Sequence, residues 1–419
     1  MSPGKLFYAQ SGGVTAVINT TAAAVIRAAR EHPERIAGVV AGRHGILGAL
    51  AEDLIDTSTL SNDDLRVLED LPGGVFGSCR FDLEDETRDP AQYERLFEVF
   101  AAHDIRFFLY NGGNGSMDTV AKLSAAARRR GYPLVCVGVP KTVDNDLEGT
   151  DCSPGFGSAA KYVATSMREA GLDLDAMASR IGRVFVMEVM GRNAGWLAAA
   201  TALATESEDE PPHIILLPEV LLDEAAFLAQ VERTVARIGY CAITVSEGIR
   251  TVDGAPVMEQ SHDSKGHVQL GGAGQCIARR IHAAFGYKHH WAIPDYLQRA
   301  AGHLVSATDH AQACAVGRAA VEFALQGRDG VMAGIRREGE GPYRWSVVPV
   351  PVEAIANRER LLPDAFVRAD GLHVTPAARA YLRPLIEGER PPRFRGGIPD
   401  YPRFVLRPMP QRCAPFRSS

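Results

Sequence analysis

"DIRFFLYNGGNGSMDTVAKLSAAARRRGYPLVCVGVP", residues 104–140, decides the fold. Residues 104–113 form an apolar run that stops at two glycines and predict a strand. Residues 116–131 place apolar side chains at helical spacing and close on Gly131, predicting a helix. Residues 133–140 return to an apolar run and predict a second strand. The same alternation continues on both sides. Upstream, a strand at 5–10 precedes a helix at 16–32 and a strand at 36–42. Downstream come a helix at 162–178 and strands at 181–191, 211–219 and 241–249, with a helix at 222–238 between the last two. Strand–helix alternation of this kind predicts an α/β fold with parallel sheets covered by helices on both faces. Such sheets bind ligands beyond the carboxyl ends of their strands. The residues that follow each apolar run are therefore the candidates for chemistry.

The chain has 419 residues, enough for two domains, and its formal charge of −6 is mild. No long basic stripe exists to contact phosphates of nucleic acid, and Arg128–Arg130 read as the solvated last turn of a helix. No apolar run approaches the ~18–20 residues needed to span a membrane. Seven cysteines, at 79, 136, 152, 241, 276, 314 and 413, show no zinc spacing and no disulfide framework. That usage and the lack of a signal-peptide pattern predict a cytoplasmic protein. From about residue 350 the texture turns to proline, glycine and arginine, as in "RPPRFRGGIPDY". This reads as a C-terminal extension packed over the core or at a subunit contact.

Two strand ends are glycine-rich. "AQSGGVTAVIN" (9–19) and "YNGGNGSMDT" (110–119) each lead from strand to helix, where backbone N–H groups and the helix dipole favour an anion. Each turn could instead be a plain βα connection, with Ser116 only a helix cap. Neither matches the dinucleotide or Walker spacing. Together they suggest a polyphosphate, and a polyphosphate brings Mg²⁺. "VPKTVDNDLEG" (139–149) then sets Lys141, Asp144 and Asp146 at the next strand end. Lys141 can neutralise a transferring phosphoryl group, and one aspartate can take the proton of an acceptor alcohol. An Asx-rich turn is the plainer explanation. Met190-Gly191-Arg192 and Glu247 lie at further strand ends, where Arg192 could grip a phosphate or sugar oxygens and Glu247 accept a sugar hydroxyl; Tyr296 and Arg299 add to them, and each could instead be a solvent-facing rim residue.

In this order, "SGG", "GSCRF", "GGNGS", "PKTVDND", an arginine seven residues before "MGR", "SEG" and "YLQR" resemble the phosphofructokinase family from residue 11 to 299. The tail "YLRPLIEGE" with "GIPDY" is similar to its pyrophosphate-dependent branch. The resemblance implies two stacked Rossmann-like α/β domains with mostly parallel sheets, plus the C-terminal extension. They are 1–155 with part of 298–350, then 156–297, then 351–419. It implies that Gly13, Gly112, Gly113, Gly115 and Ser116 bind donor phosphates. Asn114 takes the place of a magnesium-associated aspartate, Arg80 and Lys141 stabilise the transferred group, and Asp144 is the base. Thr142, Met190, Gly191, Arg192, Glu247, Tyr296 and Arg299 would hold fructose 6-phosphate. Arg183 would reach the sugar phosphate of a neighbouring subunit, implying a homodimer or homotetramer. His290, beside Lys288 and His289, stands where relatives carry an arginine, and Ala23 stands near an effector arginine of allosteric members.

The donor is contested within the sequence. Lys141 marks pyrophosphate users, because a donor without an adenosine handle must be bound through charge at the reacting phosphates. Gly115 leaves open the space that an aspartate fills in that branch, and so admits ATP. The expected reaction is transfer from pyrophosphate to the 1-hydroxyl of fructose 6-phosphate. An ATP-dependent enzyme and a non-catalytic sugar-phosphate sensor are the alternatives.

Overall fold

The computed structural model describes residues 3–178, 182–207, 209–258, 261–262, 268–269, 272–339 and 341–416. Along the chain the first strands are β1 (Gly4–Gln10), β2 (Ile36–Gly42), β3 (Leu54–Asp56), β4 (Ile105–Gly112) and β5 (Val135–Pro140). Next come β6 (Arg183–Val189), β7 (Ile214–Leu216), β8 (Tyr240–Ser246) and the short β9 (Ser261–His262) and β10 (Val268–Gln269). β11 (Lys288–Ala292), β12 (Val331–Arg337) and β13 (Trp345–Pro351) follow.

Two sheets carry the molecule. The larger has seven strands in the order β13-β12-β5-β4-β1-β2-β3, and the smaller has four in the order β11-β6-β8-β7. The smaller sheet is parallel throughout, and the larger is parallel except at its two edges, where β3 and β13 run antiparallel. The α/β expectation holds. Central parallel strands lie buried on both faces, which is why β4 reads as one unbroken apolar run. Phe108 and Tyr110 point to the face packed with Phe7 and Phe100, while Phe107 and Leu109 point to the face with Leu6, Tyr8 and Val137. Strands from residues 331–351 return to the larger sheet, completing its far edge.

Several boundaries moved for identifiable reasons. The strand expected over 211–219 shrinks to Ile214–Leu216 because Pro211, Pro212 and Pro218 supply no N–H to the ladder. The helix expected from 162 begins at Phe156. Its start is capped from another helix, Ala307–Leu325. Asp309 there accepts from Gly155 N–H (2.8 Å), Ser158 N–H (3.0 Å) and the Ser158 hydroxyl (2.5 Å). A cap from a residue about 150 positions away leaves no local pattern.

The C-terminal extension packs on both sheets' layers. Leu362, Val374, Ala378, Leu382 and Leu385 join the core that holds Trp196 and Phe156. Farther on, Asp56 N–H donates to Arg407 O (2.9 Å) and Met409 N–H to Leu54 O (2.8 Å), so the tail lies along edge strand β3. None of the seven cysteines forms a disulfide. Among the described residues no helix is long and apolar enough to cross a membrane.

Burial holds the His213 and His310 imidazoles down at about 4. As pH falls from their ordinary value near 6.5, the unfolded chain takes up protons that the folded chain refuses. Stability is therefore lost between about pH 6.5 and 4, by roughly 3 kcal/mol per histidine at the limit. Urea midpoints at pH 7.5 and 5 should differ accordingly. His213→Asn, which keeps an acceptor for the Ala242 N–H that now donates to Nδ1, should remove about half of this pair's share. An undiminished loss in that variant would assign it to other groups.

Candidate active site

The carboxyl ends of both sheets open on one cavity of about 640 Å³. Its lining comes from the turns after β1 (Gly13), β5 (Lys141, Thr142, Asp144, Asp146), β6 (Met190, Arg192, Asn193) and β8 (Glu247). The loop after β11 adds Asp295, Tyr296, Gln298 and Arg299, Arg80 comes from the segment before the helix Pro90–Ala102, and Glu359 from the extension.

The turn after β5 is built so that both aspartates face this space. Asn145 between them takes a left-handed conformation (φ 55°), which asparagine tolerates. Its buried side chain accepts from Ser153 N–H at 2.9 Å. Asp144 N–H donates to Thr142 Oγ1 at 3.1 Å, and Arg360 N–H to Asp146 O at 2.8 Å. With the Asn145 kink between them, Asp144 and Asp146 both line the cavity.

Lys141 is 4% exposed and donates from Nζ to Gly13 O at 2.7 Å. A Cβ on Gly12 would lie 3.3 Å from that Nζ, and one on Gly13 would collide with the Arg299 guanidinium. The glycines of the first turn thus admit two cations. Burial, and next the Arg299 charge, lower the Lys141 ammonium to about 8. Burial, then the charges of Asp146 and Glu247, raise the half-buried Asp144 carboxyl to about 7. An acid and a base brought that close to neutrality in one cleft mark a site for proton transfer.

The second glycine turn lies directly behind. Lys141 N–H donates to Gly112 O at 3.1 Å. The helix after it starts at Asn114, two residues earlier than expected, with Gly113 as its cap and no side-chain cap bond. Ser116 is therefore not the cap. Its buried hydroxyl turns back against Gly112, away from the cavity. The uncapped helix head leaves the N–H groups of Asn114 and Gly115 for a ligand.

On the opposite wall, Glu247 Oε1 accepts from Gly191 N–H at 3.3 Å, and Gln298 Oε1 from Met190 N–H at 3.2 Å. These bonds orient the Met190–Arg192 turn. Gly248 has no side chain because the Arg192 carbonyl occupies that place. Arg299 stacks on Tyr296 at 4.4 Å. Arg183 does not join this group. It sits at the amino end of β6, paired with Lys288 across the ladder, and its buried Nε has no hydrogen-bond partner among the described residues.

The Phosphofructokinase family model matches residues 5–324. A pyrophosphate–fructose 6-phosphate 1-phosphotransferase of Xanthomonas campestris is 54% identical over 404 residues, 96% of each chain. One of Halomonas elongata is 51% identical over the full length of both chains. The crystal structure of a pyrophosphate-dependent phosphofructokinase from Nitrosospira multiformis superposes with a TM-score of 0.92 at 47% identity, covering 99% of this chain and 100% of that one. This chain belongs to the phosphofructokinase family.

Enzymes of the phosphofructokinase family generally use a divalent metal. Among the described residues no three His, Cys, Asp or Glu side chains gather as a cation cage. The donor set here fits a metal that keeps most of its ligands as phosphate oxygens and water. Asn114 Oδ1 is buried without a hydrogen-bond partner among the described residues, while its Nδ2 reaches Asp146 Oδ2 at 3.5 Å. Burial raises the Asp146 carboxyl above its usual range.

Sequence reasoning missed Glu188, Asn193, Asp295, Gln298 and Glu359. Glu188 is buried beneath the cavity and accepts from Gly272 N–H (3.2 Å) and Gly274 N–H (2.8 Å), holding the start of the helix Ala273–Phe285. Asn193 directly follows "MGR" and could have been found by extending that motif. Glu359, whose carboxylate accepts from Asn193 Nδ2 at 2.9 Å, lies more than 160 residues away and had no local signal.

Proposed function

We propose that this chain transfers the terminal phosphoryl group of pyrophosphate to the 1-hydroxyl of fructose 6-phosphate, giving fructose 1,6-bisphosphate and orthophosphate. One observation carries the reading. A buried lysine and a half-buried aspartate, three residues apart, face one cavity whose wall also bears Arg80, Arg192 and Arg299. The name borne by full-length relatives supports it.

Asp144 takes the proton of the 1-hydroxyl as that oxygen bonds to the terminal phosphorus. The bond from phosphorus to the bridging oxygen breaks, and orthophosphate leaves with the electron pair. Lys141 and Arg80 hold positive charge against the transferring group, where charge is spread over three oxygens. The donor lies over Gly13 and the turn of Gly112, Gly113 and Gly115. A magnesium ion held through Asn114, with Asp146 assisting, would neutralise the donor phosphates. Thr142, Met190, Gly191, Arg192, Glu247, Tyr296 and Arg299 grip the sugar phosphate.

Arg183 completes that grip from a second copy of the chain, in a homodimer or homotetramer. Its distance from Met190 just past the other end of β6, about 20 Å along the strand, supports a role in another subunit's site. Exposed Trp291, Ile293 and Leu297 near the same sheet edge suit such a contact. Residues 1–155 with part of 298–350 form the donor side, 156–297 the sugar side, and 351–419 the extension that braces both. Seven cysteines without a disulfide suit a reducing cytoplasm.

A donor swap tests the reading. With fructose 6-phosphate and Mg²⁺, pyrophosphate should yield fructose 1,6-bisphosphate at least about tenfold faster than ATP at equal concentration. Faster turnover with ATP would overturn the donor, and binding without turnover by either would favour a sensor.

A further inference from the structure

Gly115 is exposed at the helix head and, by sequence alone, leaves room for a donor longer than two phosphates. The fold fills that room from another part of the chain. A Cβ built on Gly115 would lie 3.2 Å from Asp82 Oδ1. A carboxylate thus stands in close contact with the place where a side chain of residue 115 would begin, although the residue itself is glycine.

Asp82 is held there from both sides. On its amino side, Gly12 N–H donates to Cys79 O at 2.8 Å, tying the segment to the first glycine turn. On its carboxyl side, Leu83 is 1% exposed, and its carbonyl accepts from Lys122 Nζ at 2.8 Å. Lys122 lies on the same helix that Gly115 opens. Tyr93 Oη donates to Glu84 O at 2.7 Å and secures the next residue. The segment that presents Arg80 to the cavity therefore also presents Asp82 to the helix head.

We infer that Asp82 is a specificity-determining residue that limits the phosphoryl donor to two phosphates. The inference rests on the donor reading above. The Asp82 side chain is exposed and well screened in the free protein. A third phosphate set against it would displace that water and meet a like charge at short range, which is unfavourable. Pyrophosphate ends before that point. The Lys141 and Gly115 signals then cease to conflict, because the discriminating charge comes from residue 82.

Inorganic tripolyphosphate is the probe, since it adds a phosphate without adenosine. The reading is the ratio of kcat/KM for tripolyphosphate to that for pyrophosphate, with Mg²⁺ and fructose 6-phosphate. Asp82→Ala should raise this ratio at least about tenfold. Adding Gly115→Asp to that variant places a carboxylate back in the same space and should return the ratio toward the wild-type value. A ratio unchanged in Asp82→Ala overturns the inference. So does a ratio that stays high in the double variant, which would mean that Asp82 acts through loop packing. If Asp82→Ala does not fold, the isosteric Asp82→Asn is read in the same way. A wild-type enzyme that prefers ATP to pyrophosphate would instead overturn the donor reading itself.

Discussion

Asp144→Asn should lower kcat by about 10²–10⁴ while fructose 6-phosphate still binds. The amide keeps the shape of the turn and removes the proton acceptor. The pH profile gives a second readout. Asp144 is effective above about 7 and Lys141 is cationic below about 8. The kcat/KM profile of the wild type should therefore be a narrow bell, rising through about 7 and falling above about 8. Loss of Asp144 should flatten the acidic limb of whatever rate remains. Near-wild-type kcat in Asp144→Asn would remove the carboxylate from the chemistry and leave Asp146, its neighbour across Asn145, as the candidate.

Lys141→Met should cost a comparable amount by a different route. Methionine fills the buried space but carries no charge. The variant should lose about 10²–10³ in kcat and the alkaline limb of the bell. Lys141 Nζ also holds the Gly13 carbonyl, so a circular dichroism melt should accompany the kinetics. Lost activity with an unshifted melting temperature identifies an electrostatic role. An unchanged kcat would instead mean that Arg80 and Arg299 suffice to stabilise the transferred group.

The legibility of this chain follows from the range of the interactions involved. Core strands such as β4 and β5 were readable because each is covered by helices on both faces, so every position in the run is apolar. The glycine turns were readable because a strand–glycine–helix sequence is a local pattern with one geometric use. The catalytic turn was only half readable. Lys141, Asp144 and Asp146 could be named, but their common orientation depends on the left-handed Asn145 and on its bond to Ser153, eight residues on. Ser116 was half readable in the same way: the helix start was visible, but only the fold shows that the helix begins at Asn114 and sets the hydroxyl against Gly112.

The sequence by itself determined the α/β alternation, the strand ends that bear chemistry and the phosphofructokinase resemblance, because all three are set by residues within one or two turns of each other. Tertiary structure alone decided what fills the space at Gly115, which remote carboxylates close the cavity, and how the extension reaches both sheets. Asp82 comes to Gly115, and Glu359 to Asn193, across long chain separations, through contacts that no spacing along the chain encodes.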